Sequence, residues 1–311
     1  MFRFEPMDNN GKSLWAKNGP WSSKAGFAGK VAAAANTNPA AILIVNTPGA
    51  NDPRIHEMMA AGGGGAKRTD APVFLITADA ASKLLKESGY ENSLMDLRLH
   101  ADDGGTPVEL GVQFKIEADL DRSPLMAENV GGLLPGKGSL ADELIVIGAH
   151  LDHLGMGDFG SRSGPGELHP GADDNASGSA AVIMLADKLA QSYSAMPQGV
   201  NARSILFLCF SGEESGLNGS RYYVNQPIRP IESHAMMINF DMIGRIVNRR
   251  LNISGTGSGQ GLLPAVKALA DESELIVFLP TQISGASDHT PFYRKNMPIL
   301  FGAIKDFHQD Y

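Results

Sequence analysis

Three apolar runs, each ending in a residue that can bind a metal, restrict the fold more than any other feature of this sequence. Residues 144–149 read LIVIGA and run into His150. Residues 205–210 read ILFLCF and run into Ser-Gly-Glu213-Glu214, and residues 236–240 read MMINF and run into Asp241. An uninterrupted apolar run is how a strand buried on both faces reads, and such strands belong to parallel sheets covered by helices. In an open α/β sheet the ligand crevice lies beyond the carboxyl ends of the strands. One imidazole and several carboxylates are thereby delivered to a single rim. The expected fold is α/β, a mostly parallel mixed sheet with helices on both faces.

The connection between the first two runs adds to the rim. Residues 150–178, HLDHLGMGDFGSRSGPGELHPGADDNASG, form a Gly-rich loop that ends in Asp173-Asp174 just before an Ala-rich helical run. Asp174 falls near the start of a helix that Asn175 or Ser177 would cap, where unpaired N–H groups and the helix dipole favour a carboxylate. Several carboxylates cannot share a low-dielectric crevice in ionised form without a cation. Histidine plus carboxylates suit zinc better than calcium or magnesium, which prefer oxygen shells. So many carboxylates suit two adjacent metals, a pair that polarises a carbonyl and generates hydroxide at neutral pH.

GAHLDH, PGADDNASG, FSGEESGLNGSRYYV, INFDMIG and SDHTPF occur in that order within residues 129–311. This ordered set resembles the di-zinc aminopeptidase family, which includes bacterial leucyl aminopeptidases, glutamate carboxypeptidase, glutaminyl cyclase and the transferrin receptor ectodomain. The resemblance implies a zinc exopeptidase with two zinc ions. It places His150 and Asp241 on one zinc, Asp174 as the bridge, Glu214 on the other zinc and Glu213 as general base. Tyr311 matches the family tyrosine that helps stabilise the tetrahedral intermediate. The family's last ligand is a histidine directly after that tyrosine, and this sequence stops at His308-Gln-Asp-Tyr311. The resemblance therefore implies a piece of a longer protein, His308 substituting only if the terminal segment shifted.

Flanking polar residues receive lesser roles. Asp152 is expected to fix the tautomer of His150. His153 and His169 are expected beside the site as substrate or orienting groups rather than ligands, and Asp288-His289 in a structural or substrate-loop role. His56, His100 and His234 read as structural or solvent-facing. Cys209, the single cysteine, rules out an intrachain disulfide and reads as a buried structural thiol. Gly131 to Lys137 fits GxxxxGK, but Gly138 replaces the Ser or Thr a phosphate loop needs, so a turn is expected.

Length divides the chain into two domains. Residues 111–311 carry the chemistry, with 111–117 and 129–134 as first strands of the catalytic sheet. Residues 1–110 hold shorter runs, strands near 42–46 and 73–77 and helices near 24–36 and 80–87, without a clustered ligand set. This part resembles the β-rich protease-associated domain often inserted in the family, which implies a chain that opens inside that module. A formal charge of −8 at pH 7 disfavours nucleic acid as a partner. No stretch approaches the roughly 20 apolar residues of a membrane span. MFRFEPMDNN lacks a signal-peptide pattern, whereas the resemblance implies a secreted or periplasmic protein. Nothing in the sequence speaks to oligomeric state.

The expected activity is release of N-terminal residues from peptides with a free N-terminus. Two alternatives share the scaffold: carboxypeptidase or glutaminyl cyclase chemistry, and a catalytically dead receptor-like module.

Overall fold

A computed structural model describes residues 1–17, 20–56, 71–117, 125–157, 166–280, 282–283 and 287–304. The chain divides into two units, one within Met1–Ser123 and the other from Pro124 onward. The first contains helix α1 (Phe27–Ala35), strands β1 (Ile42–Val45) and β2 (Val73–Ile76), and helices α2 (Ala78–Glu87) and α3 (Leu94–Asp102). β1 and β2 pair in parallel with Ile42 opposite Val73. Side chains alternate across a strand, so Ile42 and Ile44 pack with Val31 while Val45 packs with Ala81, Leu85 and Leu94. The Thr77 hydroxyl caps α2 by accepting the Ala80 N–H, and Ser93 and Asp96 form a reciprocal capping box on α3.

Helix outweighs strand among the described residues of this unit, where a β-rich module was expected. Residues 111–117 differ too. Their apolar alternation predicts a strand of the catalytic sheet, but they fall in the first unit and have no ladder partner among the described residues. Phe114 and Ile116 are exposed. Alternation marks a pleated segment without naming its partner, and register is weakly specified where no face is buried.

The second unit contains strand β3 (Val130–Leu134), β4 (Leu144–His150), helix α4 (Gly178–Ala195), β5 (Ser204–Phe210), α5 (Asn218–Asn225), β6 (His234–Phe240), β7 (Arg250–Ser254), α6 (Leu262–Asp271), β8 (Ile276–Phe278), α7 (His289–Arg294) and β9 (Ile299–Ile304). They build a seven-stranded sheet in the order β3-β5-β4-β6-β9-β7-β8. β5, β4, β6 and β9 run parallel, β3 and β7 pair antiparallel with β5 and β9, and β8 runs parallel to β7. The mixed, mostly parallel sheet is the one expected. β7 was not anticipated, and it makes the β9 side of the sheet antiparallel.

The period-2 pattern of the central strands sorts two cores onto opposite faces. Ile147 and Ala149 of β4 and Ile205 and Phe207 of β5 pack with Val182 of α4. Leu144, Val146, Leu206, Leu208 and Phe210 face the other way, against Tyr223 and Val224 of α5 and Phe292 of α7. Phe210 and Phe292 are fully buried and meet edge to face at 6.0 Å. Burying each such ring contributes roughly 1.5–3 kcal/mol, so helices hold both faces of the strands that carry the rim. Cys209 is half-buried in the α4-side core, and burial raises its thiol pKa, in keeping with a structural thiol. Gly131 to Lys137 is edge strand and turn, with Lys137 bridged to Ala202. Among the described residues no helix is long and apolar enough to cross a membrane.

Candidate metal centre

The chain leaves β4 for β5 on one side and then crosses back to β6 on the other. β4 is therefore the topological switch point, where the two connections diverge and open a crevice at the carboxyl ends. His150 is the last residue of β4 and sits level with Phe210, the last of β5. Its ring is 1% exposed. Its Nδ1 lies 2.9 Å from the backbone carbonyl of Asp152. A carbonyl only accepts, so Nδ1 carries a proton, which leaves Nε2 as the candidate ligand atom. Asp152 is the residue expected to orient His150, and the contact comes from its backbone carbonyl, while its carboxylate oxygen is 3.8 Å away.

Nε2 of His150 faces acid: it lies 3.0 Å from Asp174 Oδ1 and 3.6 Å from Asp241 Oδ2. Asp174 Oδ1 also lies 4.0 Å from His153 Nδ1, which in turn is 2.7 Å from Glu214 Oε1. Two groups with metal-ligand spacing result. His150, Glu213 and Asp241 form one, and His153, Asp174 and Glu214 the other, each with its ligand atoms within 4.8 Å of one another.

The Asp152 carboxylate is used elsewhere. Its Oδ1 accepts the Glu213 N–H at 3.1 Å and its Oδ2 the Glu214 N–H at 3.3 Å. The turn after β5 is thereby pinned to the end of β4, and both glutamates are held over the crevice.

Asp174 is held by its two neighbours. It lies in an irregular helical turn, Ala172–Ser177, where Asp174 and Asn175 leave helical φ/ψ and are joined by a cis peptide. Asn175 donates Nδ2–H to the Phe240 carbonyl and accepts the N–H groups of Gly178 and Met242. Asp173 Oδ1 accepts the N–H groups of Gly244 and Arg245 at 2.7 and 3.0 Å. Both flanking residues thus bind the loop that carries Asp241. Gly178 permits the approach, since a Cβ there would stand 2.3 Å from Asn175 Oδ1 and 2.6 Å from the Phe240 carbonyl oxygen.

The charge balance calls for a cation. Burial, together with the nearby charges of Asp288, Asp241 and Glu214, pushes Glu213 up to about 9 against the pull of His150. Burial and then Asp174 raise Glu214. Burial opposes a charge on His150, yet Asp174 and Asp241 push it up to about 12. Without metal, Glu213 and His150 therefore hold protons at neutral pH. Asp174 Oδ1 and Asp241 Oδ1 are buried and receive no well-formed hydrogen bond among the described residues. Divalent cations would replace those protons and satisfy those oxygens, and the nitrogen-oxygen donor sets fit zinc.

The structure brings together His150, Asp174, Glu213, Glu214 and Asp241 from four separate stretches of the sequence. Tyr311 and His308 lie outside the described residues. His153 stands nearer the centre than expected, with its Nδ1 among carboxylates, and His169 packs edge to face against it at 6.1 Å. Asp288, expected in a structural or substrate-loop role, is fully buried at the start of α7, and burial pushes it up to about 7. An acidic residue inside an otherwise apolar or small stretch, SDHTPF, was the available signal.

A mixed α/β sheet with two adjacent imidazole-carboxylate groups at its switch point defines a candidate dinuclear metalloprotein. Residues 129–311 match peptidase family M28, and the chain belongs to that family. Among curated relatives, leucine aminopeptidase 2 of Trichophyton rubrum is 29% identical over 171 residues, 52% of this chain and 31% of the relative. Leucine aminopeptidase 1 of Trichophyton equinum is 26% identical over 214 residues, covering 62% of this chain and 52% of the relative. The chain thus spans about a third to a half of the length of these relatives. Among solved structures, the aminopeptidase from Aneurinibacillus sp. strain AM-1 superposes with a TM-score of 0.53 at 20% identity, over 94% of this chain and 60% of that one.

Proposed function

We propose that the protein is a zinc-dependent aminopeptidase that removes N-terminal residues from peptides. The observation that carries this reading is the pair of ligand-spaced groups meeting at Asp174, whose Oδ1 lies 3.0 Å from one imidazole and 4.0 Å from the other. Membership of a peptidase family and similarity to leucine aminopeptidases support it. His150, Asp174 and Asp241 would hold one zinc, and Asp174 and Glu214 would hold the other. When bound, zinc supplies a Lewis acid for the scissile carbonyl and lowers the pKa of water.

Glu213 is the proposed general base. Glu214 is engaged by His153, whereas the Glu213 carboxylate has no hydrogen bond among the described residues, and Asp152 holds its backbone in place. Glu213 takes a proton from the attacking water and returns it to the leaving amine. Glu213 and Asp241 would also hold the substrate's free α-amine. The hydroxyl of Tyr311, outside the described residues, is proposed to donate to the oxyanion. Residues 1–110 are proposed to act as a protease-associated module that shapes substrate access, and the protein is proposed to work outside the cytoplasm, as its family resemblance implies.

Comparing aminoacyl-anilides with N-blocked dipeptides, with and without a chelator, tests this reading. Turnover of the free-amine substrates alone, lost on chelation and regained with zinc, is expected. Preference for the blocked dipeptides would overturn it in favour of a carboxypeptidase.

A further inference from the structure

The loop that follows β4 holds two large apolar side chains in the open beside the metal centre. Met156 is 49% exposed and Leu168 is 69% exposed. We propose that these two side chains seat the residue that follows the scissile bond, so that peptides with a large apolar second residue are the preferred substrates. The inference rests on the aminopeptidase reading above and names a substrate class within it.

The two legs of the loop are fastened to each other through backbone. The Gly166 N–H donates to the Met156 carbonyl and the His169 N–H to the Gly155 carbonyl, both at 2.8 Å. These bonds bring the leg that carries Leu168 alongside Met156. Gly166 turns at φ +100°, a conformation that a side chain disfavours. The same loop buries Leu154, so an apolar residue here can be taken into the core. Met156 and Leu168 are left outside it. One exposed leucine needs no account, whereas a pair on tied legs beside a reactive centre is what a recognition surface presents.

Continuity with the metal centre selects the occupant. Glu214 Oε1 is 2.7 Å from His153 Nδ1, the His153 ring packs edge to face on His169 at 6.1 Å, and His169 directly follows Leu168. The apolar pair therefore continues outward from the group that contains Glu214. The free amine of the substrate is assigned to Glu213 and Asp241, which stand together in the other group. A peptide held there by its amine lays its scissile carbonyl near Asp174, and whatever lies past that bond reaches the Glu214 side. The seat thus meets the leaving residue and not the N-terminal one. Packing an apolar side chain on Met156 and Leu168 removes apolar surface of both partners from water. Methionine is unbranched and polarisable, so the seat adapts to aliphatic and aromatic side chains alike.

The test is made on the full zinc-loaded chain. Values of kcat/KM are compared for leucinamide, which has no residue after the scissile bond, and for Leu-Ala, Leu-Asn, Leu-Leu and Leu-Phe. Binding of the uncleavable reduced-amide analogues of Leu-Leu and Leu-Ala is measured by calorimetry. An enclosed pocket discriminates by roughly 10–200-fold for one methylene, and an open seat belongs at the low end. The parent is expected to favour Leu-Leu and Leu-Phe by about tenfold, mainly through KM, with a similar ratio for the two analogues. The double variant Met156→Gln, Leu168→Asn should bring both ratios to within about twofold of unity, with leucinamide turnover unchanged. Leu168→Ile should keep the preference.

No preference in the parent, or an unchanged preference in the double variant, would overturn the assignment. So would a loss of leucinamide turnover as large as the loss for Leu-Leu, which would make the pair a support of the loop. A changed preference between leucinamide and alaninamide would give the seat to the N-terminal residue and also overturn it. Each of these results spares the aminopeptidase reading, whereas a parent chain that turns over none of the free-amine substrates would sink both.

Discussion

Asn175 donates its side-chain N–H to the backbone carbonyl of Phe240 at 3.0 Å, which fastens the residue after Asp174 to the strand end that delivers Asp241. The two carboxylates belong to segments far apart in sequence, and this amide, with the bonds from Asp173 to Gly244 and Arg245, ties those segments together. The same side chain accepts from Gly178 at the start of α4. Strand end, helix start and carboxylate therefore move as a unit.

Asn175→Ala removes a donor and an acceptor and leaves the Phe240 carbonyl and two N–H groups buried without partners. The expected loss is about 3 kcal/mol. At roughly 2–4 °C per kcal/mol for a unit of this size, the melting temperature of the metal-free protein should drop clearly. Zinc affinity should fall with it, because Asp174 and Asp241 lose their common anchor. A variant that melts like the parent and binds zinc equally well would show that the clamp does not position the site.

Glu213 and Glu214 are adjacent in sequence, but the structure gives them different surroundings. Glu213→Gln should lower kcat by roughly 10²–10⁴-fold, the range for removal of a general base, with zinc content retained. Glu214→Gln should lower zinc content first, because its carboxylate belongs to the second ligand group. Kinetics and metal analysis of the two purified variants decide the matter, and loss of a zinc from Glu213→Gln would make Glu213 a ligand.

The protonation pattern fixes the sign of the pH dependence of the metal-free protein. His150 keeps its proton up to about 12 when folded and loses it near 6.5 when unfolded. Glu213 holds a proton to about 9 against 4.5, and Asp288 to about 7 against 3.8. Across these windows the folded state binds more protons than the unfolded one, so stability falls as pH rises. Each contribution is fully present below the group's unfolded pKa and lost as pH passes the folded pKa. Thermal melts in chelator should therefore decline from about pH 5 to about pH 9. Zinc must displace these protons, so the rise in melting temperature on adding it should grow over the same range. A metal-free protein that gains stability with pH would contradict the charge balance described for the site.

Much of this was legible in the residues themselves. The runs ending at His150, Phe210 and Phe240 became β4, β5 and β6, because a strand buried on both faces has no alternative reading as a surface element. Asp173-Asp174-Asn175 stood out as a cluster, but which member points into the crevice depends on tertiary hydrogen bonds to residues 240–245. Strand order was not legible either. RLNIS of β7 is short, mixed in polarity and paired antiparallel to β9, so neither periodicity nor composition marks it. The approach of His153 to Glu214 depends on how the chain turns after β4, and periodicity carries no information about that turn. α3 was missed although Ser93 and Asp96 stand at capping-box spacing.

Asp152 separates positioning of the glutamates from control of the His150 tautomer. Its backbone carbonyl serves His150, while its carboxylate serves the amides of Glu213 and Glu214. A side-chain substitution therefore leaves the histidine contact in place and disturbs only the glutamate turn. Asp152→Asn keeps one accepting oxygen and replaces the other with a donor facing an N–H group. Asp152→Ala removes both acceptors. Activity should fall in the order parent, Asn, Ala, with the Ala variant down by roughly 10–100-fold, the usual cost of losing a supporting partner at a metal site. First-metal affinity should change little, since His150, Asp174 and Asp241 keep their contacts. Measuring kcat beside zinc affinity in both variants separates the two roles: a weakened first metal with turnover per bound zinc unchanged would return Asp152 to the histidine and detach it from the glutamates.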